Sequence, residues 1–323
     1  MAARRSGRMI AAVALAGLAL SSAAASAADK VHVGKAVSIA WTFIAVDVGV
    51  HEGIFARYGL DVDIVAFGGD AKLQQALAAN SIEFGLGSGP SMAFAVKGAP
   101  IVAVAAFANA PRNISIALPA GSPIKTVADL KGKLIAISTT GSLTEWLVKR
   151  VATTEGWGID GIMPVAIGDA AAQTAAMRSG QVDGMMGSTE NGFQLEERGE
   201  GRVLVGMERY APHFVTHVIF ADKQLVADKP DLVNRFLKGF FASLAFINAN
   251  KQKTTEIAMP IQNESAAVLN KAYDFEMPMM TLDGQFDAQG LALIKNSYVA
   301  MGVLDHEPAD DEILTRRFLP VVP

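Results

Sequence analysis

Ser138-Thr139-Thr140-Gly141-Ser142 puts four hydroxyl side chains and one glycine in consecutive positions, after the apolar run Leu134–Ile137 and before a helical pattern opening at Leu143. A turn of that kind offers free backbone N–H groups, and the positive end of a helix, to an anion or a polar head group. Ser142 and Glu145 also have the S-x-x-E spacing of a capping box, which accounts for those two residues but not for Ser138, Thr139 and Thr140. Comparable small, polar stretches follow other apolar runs: Ser38 to Thr42, Gly68-Gly69, Ser88-Gly89 and Ser188-Thr189-Glu190. In an open α/β sheet such strand ends are where ligands collect. Trp41 lies in the first of these stretches, either as an apolar wall for a small organic ligand or as a cover on the sheet end. His217 sits in another apolar run and is expected to face the same cleft.

Patterns that would make the chain a catalyst fail on inspection. Ser88 and Ser188 lack the G-x-S-x-G context of a nucleophile elbow. Gly85-Leu86-Gly87-Ser88-Gly89 is neither a dinucleotide fingerprint nor a Walker loop. His51-Glu52 has no second histidine at the zincin spacing. His213 and His217 are four apart, which in a strand spans roughly 13 Å, too far to share a metal. Five histidines and no cysteine leave little from which to build a metal centre, and no thiol nucleophile, disulfide or iron–sulfur cluster is available. The sequence therefore predicts no cofactor and no metal.

The elements that must position these turns alternate between strand and helix. At 323 residues, 51% hydrophobic and 19% charged, the chain has material for two cores and is far from a disordered composition. A net charge of −4 without a Lys/Arg block predicts no nucleic-acid partner. Arg4, Arg5 and Arg8 precede an apolar run from Met9 to Leu20, with Ala25-Ser26-Ala27 after it. This is the plan of a cleavable secretory signal over residues 1–27, too short in its apolar part to span a membrane. Its removal leaves a chain three charges more acidic, expected to be soluble and periplasmic. Strands are expected at Val31–Ser38, Leu60–Phe67, Ile82–Leu86 and Ile101–Phe107, the last apolar throughout as for a strand covered on both faces. Asp70 is placed to cap a helix over Ala71–Ala79. The pattern then restarts with strands at Leu134–Ile137, Met163–Ile167, Gly184–Met186, Val203–Val205 and Val215–Ala221, and ends in helices from Asp231 to Phe318. Two α/β units with a helical tail predict two lobes: 28–118 plus 219–323, and 119–218, with chain crossings near Ile116–Pro119 and Thr216–Ala221.

Several stretches are similar to one family. Val50-His51-Glu52-Gly53-Ile54-Phe55-Ala56-Arg57-Tyr58-Gly59-Leu60-Asp61-Val62 resembles the first long helix and second strand of periplasmic solute-binding proteins of nitrate, sulfonate and taurine ABC importers, a superfamily that includes thiamine-precursor binders. Gly68-Gly69-Asp70 with Gln74-Gln75-Ala76-Leu77, Ala128-Asp129-Leu130-Lys131-Gly132-Lys133, and Ala175 to Gly184 match in the same order. The resemblance implies a type II periplasmic binding-protein fold: two mixed sheets flanked by helices, two hinge crossings, and closure on a small polar or anionic organic solute. It also implies an inner-membrane ABC permease as partner, a monomer, and no catalysis. It places binding loops after Ser38, at Gly68-Gly69, at Ser88-Gly89, at Ser138–Ser142 and near Ser188–Glu190; with Trp41 and His217 read from the residues, the expected ligand contacts are Ser38, Trp41, Gly68, Gly69, Ser88, Gly89, Ser138, Thr139, Thr140, Gly141, Ser142, Thr189, Glu190 and His217. Where many relatives have a Trp-Glu-Pro-like segment, this chain reads Ser188-Thr189-Glu190-Asn191. The alternatives are an enzyme of pyrimidine-precursor or menaquinone type on the same fold, or a ligand-sensing accessory protein. The first normally brings a cysteine-rich motif, which this chain lacks.

Overall fold

The computed structural model describes residues 28–323; the expected signal segment 1–27 lies outside the described residues. Ten strands form two five-stranded sheets. The first takes β1 (Asp29–Lys35), β2 (Leu60–Ala66), β3 (Phe84–Ser88), β4 (Ile101–Ala108) and β10 (His217–Asp222), in the order β2-β1-β3-β10-β4. The second takes β5 (Ile114–Pro119), β6 (Leu134–Ile137), β7 (Met163–Ala166), β8 (Gly184–Ser188) and β9 (Gly201–Gly206), in the order β7-β6-β8-β5-β9. Each sheet has a parallel core, β2-β1-β3 or β7-β6-β8, beside one inverted strand. That strand is β10 in the first sheet and β5 in the second, and it pairs antiparallel on both of its sides. The two sheets are thus built to one plan, and the fold is a two-lobed α/β architecture.

Sheet membership corrects both expected crossings, since Thr216–Ala221 lies almost wholly in β10. Ile114–Pro119 is not a connector but β5, in register with Met185–Ser188 of β8 and Gly201–Gly206 of β9. The chain passes from one sheet to the other in residues 109–113, and back in 207–216. A short apolar run at the end of a unit looks alike whether it closes one sheet or opens the next; only its pairing decides.

The two edge strands of the first sheet differ in burial: all eight residues of β4 are buried, whereas β2, at the other edge, has only exposed and half-buried positions beyond Leu60. The helix Pro230–Ala249 closes the first lobe through Phe236, whose ring stacks on Phe84 at 4.0 Å and on Phe55 at 5.6 Å. Each such buried ring contributes about 1.5–3 kcal/mol by removing apolar surface from water. The last expected helix is cut short: Asp310–Ile313 is helical, but Leu314 turns extended (φ −145°) and pairs in parallel with Ala103. Thr315 N–H donates to Ala103 O at 2.9 Å, so the chain end covers the free edge of β4 rather than coiling. No described helix is long and apolar enough to cross a membrane.

Candidate functional site

The C-terminal ends of β1, β3, β6 and β8 converge on one cavity with about 650 Å³ of space free of protein atoms, its mouth included. The first sheet supplies the loop Ala36–Ala40, Phe43, Asp70, Ser88 and His217; the second supplies Ser138, Leu143, Thr144, Gln173 and Met185–Ser188. Asn113 and Ile114 come from the end of the crossing between them. The walls are mainly aliphatic and aromatic, with a few polar groups, the usual composition of a small-molecule site.

His217 lies at one end of the cavity, fully buried between the rings of Phe107 (stacked, centroids 5.6 Å) and Phe43 (edge-on, 4.9 Å). Burial pulls its pKa down to about 4, against the opposite pull of a hydrogen bond to Gly87, so the ring is neutral at pH 7. Its Nδ1 is 3.2 Å from Gly87 O, which can only accept, so the proton sits on Nδ1. Nε2 is then an acceptor and accepts a hydrogen bond from Asn113 Nδ2 at 2.7 Å. This fixes the Asn113 amide: one N–H is on the ring, and its Oδ1 is buried without a partner.

Asp70 is buried in the first lobe, and burial raises its pKa. It accepts from Ser88 N–H (2.9 Å), Ser88 Oγ (3.0 Å) and Ser91 Oγ (3.1 Å), all of which favour the ionised form. The helix Leu143–Thr154 of the other lobe begins near Asp70, and the N–H of Leu143 also favours its ionised form. The carboxyl at that helix end is therefore Asp70 of the protein itself. Across the cavity, Gln173 donates from Nε2 to Gly168 O at 2.7 Å, leaving its buried Oε1 free.

Of the residues expected to contact ligand, Ser38, Ser88, Ser138 and His217 line this cavity and the others do not. Trp41 is buried, edge-on to Tyr273 at 5.4 Å, with its backbone N–H on Glu190 Oε2 at 2.7 Å. The covering role wins because the C-terminal helices supply a ring for it to pack on. Gly68 lies at the rim, against Lys72 and the Asp169 backbone of the other lobe. Gly69 (φ +127°) leaves room for Thr139 of the other lobe: a Cβ there would sit 2.4 Å from its Cγ2. Thr139 Oγ1 accepts from Ala71 N–H at 3.3 Å, so it serves lobe contact. Gly89 is a packing requirement, since a Cβ would meet Val215 O at 2.0 Å. Thr140 is exposed.

Gly141 and Ser142 belong to the cap of the following helix. Glu145 N–H donates to Ser142 Oγ at 3.4 Å, and Gly141 N–H donates to Glu145 Oε2 at 2.6 Å. Ser138 N–H is taken up by Thr144 Oγ1 at 3.1 Å. The hydroxyl run thus satisfies its own turn, and only its first residue reaches the cavity. Thr189 Oγ1 donates to Arg112 O at 2.9 Å, away from the cavity.

Glu190 belongs to a second polar region between the lobes. It and Gln194 lie on the helix Thr189–Glu197, facing Glu264, Glu276, Thr42 and the Gln262 carboxamide. Burial pushes Glu190 well above the usual carboxylate range, and the charges of Glu276 and Glu264 push further. Glu276, buried with its Oε2 accepting from Thr42 Oγ1 at 2.7 Å, is raised to about 8 by burial. Glu264 is raised to about 7, again mainly by burial, with Arg198 and the Gln194 hydrogen bond opposing. Among the described residues, no group of three or more histidines and carboxylates is arranged to hold a metal ion.

Asn113, Gln173, Phe43 and Thr144 were not singled out in the sequence. A polar residue just before an apolar strand was the available signal for Asn113; Gln173, the fourth residue of its helix, gives none.

Two lobes of this topology around a shared cavity define the class of periplasmic binding-protein folds. More narrowly, the chain belongs to the NMT1/THI5-like family, whose model matches residues 41–254. It is 25% identical over 244 residues to a Haemophilus influenzae protein whose name assigns it to thiamine biosynthesis, covering 74% of this chain and 72% of that one. It is 25% identical over 220 residues to a Brucella abortus protein named as a binding protein, covering 67% of each chain. Among solved structures it is similar to the alkanesulfonate-binding protein SsuA of Xanthomonas axonopodis, with a TM-score of 0.75 at 20% identity, covering 88% of this chain and 96% of that one. The family and fold implied by the sequence motifs are those found.

Proposed function

We propose that the chain is the extracytoplasmic solute-binding component of an ABC importer, exported by residues 1–27 and acting as a monomer. One observation carries this reading: a largely apolar cavity whose walls come about equally from two separately built sheets joined by two short crossings. A ligand held from both sides binds the closed arrangement better than the open one, and that difference in affinity drives closure. The closed form is what a permease would recognise, and no bond in the solute changes. Relatives named as binding proteins support the reading. In this reading the units that move are the lobes built on the two sheets, 28–108 with 217–323, and 114–206.

Small-angle scattering of the mature protein tests it, with solutes first chosen by thermal shift, since a ligand that binds only the folded form raises the melting temperature by mass action. Carboxylates, sulfonates, nitrate, amino acids, pyrimidines and carboxamides form the screen. A compaction on adding a stabilising solute, with that solute recovered unchanged, is expected. An unchanged envelope with a bound solute, or recovery of a product, would overturn it.

A further inference from the structure

Two buried amides at the cavity each hold an oxygen without a partner. Asn113 and Gln173, 1% and 4% exposed, each commit one N–H to a fixed partner, the neutral His217 ring and Gly168 O. Neither amide can turn over without placing oxygen against an acceptor, so Asn113 Oδ1 and Gln173 Oε1 stay as acceptors with nothing to accept. Native proteins seldom leave buried acceptors unpaired, and when they do a missing partner is the first explanation to seek. Ser38, Ser138 and Ser188 can give or take, so they set no preference.

Charge points the same way. No Lys or Arg lines the cavity, and the one ionisable carboxyl that does is Asp70. The cations nearby are not part of the lining: Arg112 lies over the Phe275 ring at 5.0 Å with its buried Nε unpartnered, Lys35 is paired with Asp47 at 2.9 Å, and Lys72 is exposed beyond Gly68. A sulfonate or carboxylate buried here would find no counter-charge and would face two acceptor oxygens.

Resting on the binding function proposed above, we infer that the solute is an uncharged, largely apolar molecule bearing N–H donors, a carboxamide being the simplest such group, with Asn113 Oδ1 and Gln173 Oε1 as its acceptors. The aliphatic and aromatic walls (Val37, Ile39, Phe43, Leu143, Met185, Met186) take the body of the molecule, and the serine hydroxyls can donate to a carbonyl on it.

The test uses probes that share a body and differ in head group: benzamide, benzoate and benzenesulfonate, with acetamide, acetate and methanesulfonate as the smaller set. Affinity is read by calorimetry and closure by scattering. The carboxamides are expected to bind at least about tenfold more tightly than their anionic counterparts. Gln173→Met is expected to cost benzamide about tenfold in affinity, the usual worth of one buried hydrogen bond. Its melting temperature without ligand should stay close to that of the parent, which separates ligand contact from a structural role. Preferred binding of benzoate or benzenesulfonate, with compaction, overturns the inference and leaves the binding function standing. Benzamide affinity unchanged in Gln173→Met overturns the assignment of that acceptor. Closure with none of these probes, nor with any member of the wider screen, overturns the binding function itself.

Discussion

Two polar regions lie between the lobes, and they solve the problem of buried oxygen in different ways. Around the cavity, Asp70 accepts from Ser88 and Ser91, while Asn113 and Gln173 each leave one oxygen without a partner. At the other contact, Glu190, Glu264 and Glu276 lie together with few donors, and they answer burial by holding protons. Both regions keep a buried oxygen without a partner, Glu276 Oε1 in the second, but only the first borders the cavity. What separates them is whether fixed donors reach the oxygens, for which burial alone is no guide.

The comparison is broken most forcefully by pH. A carboxyl whose folded pKa is raised binds its proton in the folded state after the unfolded chain has released it. Its stabilising effect is complete below the ordinary value of 4.5 and is lost as pH rises through the folded value. Stability should therefore fall between about pH 5 and pH 8.5, through about 7 for Glu264 and about 8 for Glu276, with Glu190 acting in the same direction. The total is on the order of a few kcal/mol. Denaturant melts across that range check it, and Glu276→Gln should flatten the slope by stabilising the protein at the alkaline end. A slope that is unchanged in this variant would mean Glu276 is ionised throughout.

Asp70→Ala should come next, at about 3 kcal/mol, because it strands the Ser88 and Ser91 donors in a buried place. Asp70→Asn should cost less, keeping one acceptor oxygen. Thr139→Ala removes the acceptor for Ala71 N–H and part of the packing on Gly69, for about 1 kcal/mol. The smallest effect is expected at Thr140: Thr140→Ala should change neither solute affinity nor the melting temperature measurably, because its side chain is exposed away from the cavity. A clear loss of affinity there would return the hydroxyl run to the binding surface.

The fold was legible because strand and helix periods differ and the two units repeat one order. The site was half legible. Ser38, Ser88, Ser138 and His217 could be found because strand ends are predictable from pattern. Trp41 could not, because its direction depends on Tyr273, more than two hundred residues later. Asn113 and Gln173 escaped for a subtler reason: what matters is which end of each amide is occupied, and that is set by Gly87, through His217, and by Gly168. Glu190 was named for ligand contact, and only the fold shows that two further glutamates lie near it.

Both inverted strands, β5 and β10, are gripped on either side inside their sheets, so the closure proposed above would leave neither free to slide. Bending would fall to residues 109–113 and 207–216, and Asn113 ends the first of these as His217 follows the second. Their 2.7 Å hydrogen bond ties the two crossings together. In that proposal a solute seated against Asn113 would press on the axle of the molecule as well as on its jaws.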